Sequence, residues 1–304
     1  MRGVQIWRLG AVLSPVEDVE TATVCCLCYE AVLDWHFGEI ATAQPKIGEA
    51  IPLSRKLNDM HGLAVALCYA AFLGHHERNP AEVERLASEL IELSARYNFA
   101  HWLPLAKILR GWARSASGDT AEGIPWIELG IRDYRATGTV LGLPGHLAKK
   151  AEALHLADRT SEALESIAEA QVLVERFEDR CWCSELHWLR GIFLAAMGAD
   201  EAQREASFCE AIRIAREQKS VSLEKRAEAA YAEYRRQRAS GSGEHGIRLT
   251  TLIAACNSPP VFQRFSRRLP IVDLAPTQSK TYSPRERPLC IALHRPRTSG
   301  VSRS

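Results

Sequence analysis

Read at a step of forty residues, the chain says nearly the same thing five times. EAVLDWHFGEIATAQ begins at 30, AAFLGHHERNPAEVE at 70, LRGWARSASGDTAEG at 109, KAEALHLADRTSEAL at 150 and LRGIFLAAMGADEAQ at 189. The copies align without insertion or deletion, and a fixed period of this length is the mark of stacked supersecondary units. Positions 31, 71, 111, 151 and 191 are Ala, Ala, Gly, Ala and Gly. Glycine inside a helix costs about 1 kcal/mol against alanine, so its recurrence at one phase points to a neighbouring helix that approaches closely. Seven residues on, positions 38, 78, 118, 158 and 198 are Gly, Arg, Gly, Asp and Gly, which suit a helix end and a tight turn.

A second helix is predicted from about 41, 81, 121, 161 and 201. It carries small residues at Ala43, Gly123 and Ala163, and again at Ala50, Gly130 and Ala170. In EALESIAEAQVLVERF, Ala163, Leu164, Ile167, Ala170, Val174 and Phe177 form an apolar helical stripe. Each copy is therefore a helix, a short turn and an antiparallel helix, and stacking lets each hairpin bury the face its neighbour exposes. Five copies fill 20–219, and SVSLEKRAEAAYAEYRRQ (220–237) supplies a charged capping helix. The fifth copy is least regular, with Gln203 and Glu210 at the small positions. Pro45 and Pro52 in the first predict a kink or break in its second helix.

Composition narrows the function classes. The formal net charge is +1, with 46% hydrophobic and 25% charged residues, which argues against bulk attraction to nucleic acid or membrane. No apolar run approaches the roughly 20 residues of a membrane span, and the first twenty residues lack the core and cleavage site of a signal peptide. Nine cysteines, an odd number scattered over helical faces, do not form a disulfide framework. A reducing cytoplasm is the expected setting.

The small residue, the turn glycine seven later and the small residue twelve on resemble the tetratricopeptide pattern, and the forty-residue length resembles its longer, MalT-like form. WLPLAKILRGWARSASGDTAEGIPWIELGIRDYRATG (102–138), SELHWLRGIFLAAMG (184–198) and CEAIRIAREQKSVSLEKRAEAAYAEY (209–234) are similar to the C-terminal repeats of bacterial adenylate/guanylate cyclase–AAA ATPase signalling proteins. The likeness covers about 30–238. It implies an all-α, right-handed superhelix of antiparallel helix pairs that binds a protein or peptide, or senses an effector, for an attached or separate ATPase or cyclase module. The phosphate loop GxxxxGK[ST] of such proteins is absent here, so none of their catalytic residues carries over. The alternative reading is a fragment of a multidomain cyclase, ATPase or transcriptional regulator.

In CWCSELHWLRG, Cys181, Cys183 and His187 lie at helical spacing. A structural zinc site wants four ligands from separated pairs, and no second pair fits, so packing is preferred. CCLC (25–28) reads the same way. His75 and His76, beside a turn, are expected to be solvated. With no GxSxG, HExxH or phosphate loop, neither an enzyme site nor a cofactor is expected. In arrays of the resembled kind, certain first-helix phases line the concave groove. By register those are the phases of Trp112 with Glu152 and of Trp188, with Glu185 and His155 beside them. Such a set suits the grip of an extended peptide or a helix. Core burial of the two tryptophans is the competing reading.

Residues 1–19 read as an N-terminal extension and 20–238 as the repeats with their cap. In 239–304, ASGSGEHG has linker composition. From 247 onward ten Lys/Arg face two Asp/Glu among many prolines and serines, which predicts a basic, disordered tail. No nucleic-acid partner is expected.

Overall fold

The structure, a computed structural model, describes residues 17–239. The first sixteen residues of the extension and the tail from 240, with the disorder expected there, lie outside the described residues. Within them lie eleven α-helices and no strand: α1 (Glu17–His36), α2 (Ile40–Lys56), α3 (Met60–His76), α4 (Pro80–Tyr97), α5 (Trp102–Ala116), α6 (Thr120–Ala136), α7 (Leu143–Leu156), α8 (Thr160–Phe177), α9 (Cys183–Ala196), α10 (Glu201–Glu217) and α11 (Val221–Ala239). They form five hairpins and a final helix, the tetratricopeptide-like arrangement that the period predicts.

The forty-residue period is written into the backbone. Left-handed φ occurs at 38, 78, 118, 158 and 198, and again at 58, 98, 138 and 178. Each of these residues reverses the chain after a helix, where only a left-handed residue lets the following N–H groups turn back onto the last carbonyls. Asp59, Asn79, Asp119 and Asp200 then start α3, α4, α6 and α10 by accepting a hydrogen bond from a first-turn N–H.

The fifth hairpin departs from strict alignment. Its left-handed residue is Lys219, not 218, and its second helix buries Ser207, Phe208, Ala211 and Ala215. The fourth buries Ser166, Ile167, Ala170 and Val174, one residue earlier in phase. One extra residue therefore sits in the turn between Gly198 and Asp200. Gln203 and Glu210 do not hold the small positions; Ala211 does. Pro45 and Pro52 do not break α2, which runs unbroken from Ile40 to Lys56. Both prolines and the residues four before them, Ala41 and Gly48, are exposed, so water can serve the carbonyls that lose their partners.

Ala31, Ala71, Gly111, Ala151 and Gly191 are all buried. A Cβ on Gly111 would lie 2.6 Å from the carbonyl oxygen of Gly123, and one on Gly123 would lie 2.5 Å from that of Gly111. Helices α5 and α6 thus touch backbone to backbone. Gly111→Ala is expected to destabilise the chain by about 1–2 kcal/mol, overpacking outweighing the gain in helix propensity. A urea midpoint unchanged or raised would show that the contact is not tight.

The first helices of the hairpins, with α11, form an inner set. Each packs on the next, and α11 returns to α1. Ser222 Oγ donates to the Trp35 carbonyl, His36 Nδ1 pairs with Ser220 Oγ at 2.8 Å, and Arg226 donates to the His76 carbonyl. The expected capping helix is therefore also a closing helix, and the inner wall is a ring with its own axis.

Candidate functional site

Closure of the ring decides what the groove-phase residues do. Trp112 on α5 and Glu152 on α7, forty residues apart, meet on the axis, where Trp112 Nε1 donates to Glu152 Oε2 at 3.4 Å. Trp188 and Glu185 reach the same region from α9. Trp112 and Trp188 are each 2% exposed, Glu152 1% and Glu185 2%. Core burial is thus the observed state of both tryptophans, because the returning α11 fills the space an open array would leave. His155 stays apart: half-buried, it pairs with Thr160 Oγ1 at 2.9 Å and packs on Phe193.

The residue that ties this cluster together is Arg78. It occupies a turn position that is glycine in three copies, with φ of 57°, and the turn aims its side chain into the ring. Its Nη1 donates to Glu152 and its Nη2 lies 3.5 Å from Glu185. The guanidinium covers the Trp188 and Trp112 rings at 5.1 and 5.9 Å. Arg226 approaches Glu185 at 3.7 Å from α11 and lies over Trp35 and Trp188. His76 stacks on Trp35 at 4.4 Å, and His75 meets Trp112 edge-on at 4.5 Å.

His75 and His76, expected at a solvated turn, are 1% and 6% exposed. Ring closure brings α11 and the start of α9 across the end of α3. Burial first, and then the charges of Lys149, Arg78 and Arg226, hold the His75 ring well below the usual histidine range, and burial does the same for His76 and His146. Lys149 is fully buried between the rings of Phe72 and Trp182, 5.3 and 4.9 Å away. Burial pushes its ammonium down to about 8, against the pull of Glu185 and Glu152.

Sequence reasoning missed Arg78, Lys149, Arg226 and the histidines as members of one cluster. Two signals were available. Arg78 is an arginine where a turn favours glycine, and Lys149 is a cation at a phase that is Tyr, Tyr, Leu and Leu in the other copies.

Among the described residues, His75, Glu152 and Glu185 are the group whose ligand atoms lie close enough to hold a metal, within 4.8 Å. Arg78 already takes both carboxylates, so a divalent cation would compete with a guanidinium for the same oxygens. Cys181, Cys183 and His187 do not form such a group. Cys181 is exposed and donates to Asp179 Oδ1 at 2.9 Å. Cys28 is buried on the apolar face of α1 and Cys25 half-buried. No described helix is long and apolar enough to cross a membrane.

Comparison with known proteins places the fold. Residues 20–77 and 188–234 match the family of anaphase-promoting complex subunit 5. An uncharacterized protein of Rhizobium meliloti (strain 1021) is 31% identical over 120 residues, which are 40% of this chain and 12% of that protein. The chain thus matches a small part of that longer relative. The structure of a Rap protein complexed with Competence and Sporulation Factor is similar over 79% of this chain and 63% of that one, with TM-score 0.60 and 10% identity. The structure of Bacillus thuringiensis PlcR in complex with the peptide PapR7 and DNA is similar over 73% of this chain and 79% of that one, with TM-score 0.54 and 15% identity. The tetratricopeptide-like helical repeat is the fold of this chain.

Proposed function

We propose that the chain is a non-catalytic helical-repeat scaffold of the bacterial cytoplasm that binds a protein or peptide in signalling, on the inner wall of the ring. The observation that carries the reading is the convergence of Trp112, Trp188, Arg78, Glu152 and Glu185 on one axis, closed by a seam between α1 and α11. Tryptophan and arginine are the residues that dominate binding energy at interfaces. The cluster's carboxylates are engaged by arginines, an arrangement suited to recognition more than to proton transfer. The similar folds of a Rap protein and of PlcR, each solved with a peptide or factor bound, support the reading by likeness. The resemblance to cyclase–ATPase repeats suggests an ATPase or cyclase module as the recipient of the signal. The small share of the Rhizobium relative that the chain matches favours the second reading, in which such repeats are one part of a multidomain protein whose catalysis lies elsewhere.

Access to the inner wall requires the seam to open. A Cβ built on Gly38 would lie 3.4 Å from Val221 Cβ, near disulfide range. In Gly38→Cys/Val221→Cys, the reduced chain is expected to retain its partner from a lysate of the source cell, identified by mass spectrometry, and the oxidised chain to lose it. Equal capture by both forms would remove the inner wall as the binding surface. Failure of either form to capture a stoichiometric partner would remove the scaffold reading.

A further inference from the structure

Among the described residues, Arg78, Lys149 and Arg226 are the cations buried around the axis, and Glu152 and Glu185 are the carboxylates that face them. Arg78 and Arg226 engage Glu152 and Glu185. Lys149 has no ion pair with any described residue. Its amine reaches one acceptor, the Gly145 carbonyl, at 3.4 Å. Burying an ammonium in this way is costly, and the fold does not need it, because Leu109 and Leu189 fill the same phase in other copies. The neighbours are also incompletely bonded. Both ring nitrogens of His146, one turn earlier on α7, have no hydrogen-bond partner, nor does His75 Nδ1. These side chains are 2% and 1% exposed.

One side of Lys149 is covered from outside the helix pairs. Trp182 belongs to the one-turn 3-10 helix Arg180–Trp182 between α8 and α9, and is half-buried. It rests on Gly145, where a Cβ would fall 2.4 Å from the indole, so a missing side chain makes its seat. Its Nε1 is buried without a partner.

We propose that Lys149, flanked by His75 and His146, receives the carboxylate of a small organic acid or of a peptide C-terminus, admitted when Trp182 lifts from Gly145. The single ammonium of Lys149, with no ion pair among the described residues, matches a monoanion better than a phosphate dianion. The inference rests on the scaffold reading and names the chemistry of its effector.

The test uses the purified full chain at pH 7. Thermal melts in sodium acetate, in succinate, and with a short peptide bearing either a free or an amidated C-terminus are compared with sodium chloride at equal ionic strength. At least one carboxylate is expected to raise the melting temperature by several degrees. Acetate or succinate would identify a small acid; a free-ended peptide that outperforms its amide would identify a C-terminus. Lys149→Met, which removes the charge and keeps the length, is expected to melt no lower than the wild type and to lose the carboxylate shift. Labelling of the wild type with acetic anhydride, read by mass spectrometry, needs no variant. The active carboxylate is expected to slow acylation of Lys149 at least threefold and leave Lys150 unchanged. The proposal is overturned if no carboxylate exceeds chloride, if Lys149→Met keeps the full shift, if sulfate or phosphate shifts the melt as much as the best carboxylate, or if Lys149 labelling is indifferent to carboxylate.

Discussion

Arg78→Met is expected to lower stability by about 3–5 kcal/mol, the cost of leaving a buried charge without its partner. The variant strands Glu152, whose remaining polar neighbours are Trp112 Nε1 at 3.4 Å and a neutral His75. It also leaves Glu185 with Arg226 alone at 3.7 Å. Methionine keeps much of the packing volume against Trp112 and Trp188, so most of the loss reports charge. Glu152→Gln should cost less, since Arg78 keeps Glu185 in reach. The double variant Arg78→Met/Glu152→Gln should cost less than the sum of the two, because the stranded carboxylate is gone. The measurement is a double-mutant cycle from urea midpoints. A coupling near zero would mean that the axial pair is not a functioning ion pair and that Arg78 is an ordinary turn residue. A total near that of an unaltered protein's usual 5–15 kcal/mol makes the single change severe enough to see in expression.

The same residue shows where sequence reading stops. The hairpins, the turns and the small residues were legible because each is a local demand repeated at one phase: a left-handed turn wants glycine or aspartate, and a close crossing wants glycine or alanine. The phases of Trp112, Glu152, Glu185 and Trp188 were legible for the same reason, as a set on one wall. Closure was not. It is the sum of small rotations from five stacked hairpins, and no residue pair encodes it. Without closure, Arg78 reads as a solvated turn residue, His75 and His76 as exposed, and Arg226 as part of a charged cap. The one-residue slip in the fifth hairpin escaped for a related reason. The first helix of that copy keeps strict phase, with Gly191 and Gly198 in place, and the extra residue falls in a turn, where composition is permissive. The slip was visible only as Gln203 and Glu210 at positions that should be small. The cost of an extra turn residue is low, while burying Gln203 in place of Ala163 would not be.

Acid should unfold this chain unusually steeply, and histidine sets the window. His75, His76 and His146 are held neutral by burial, with pKa values well below 6.5. In the unfolded chain each titrates near 6.5. The sign follows from the depressed folded values. Stability is complete above pH 6.5 and is lost as pH falls below it, because the unfolded state takes up three protons that the folded state refuses at these sites, and burial lowers His36, His101, His155 and His187 in the same direction. Three protons correspond to a slope of about 4 kcal/mol per pH unit. The refusal has identifiable causes. His75 faces Lys149, Arg78, Arg226 and His146, with Glu152 and Glu185 as its carboxylate neighbours; His76 faces His75, His36, Arg226 and Lys149; His146 faces Lys149 and His101. A proton on any of them adds to a cluster that already holds Lys149, Arg78 and Arg226. The carboxylates with lowered values, such as Asp133 and Glu210, titrate below this window and do not confuse it. Urea midpoints between pH 7.5 and 5 should therefore collapse by about pH 5. His146→Phe, whose ring has Phe72 and Tyr134 to pack on, should reduce the slope by about 1.4 kcal/mol per pH unit, the share of one proton. A midpoint that stays level down to pH 5 would mean that water or a bound anion reaches the cluster and takes the charge, and that the axis is not closed as described.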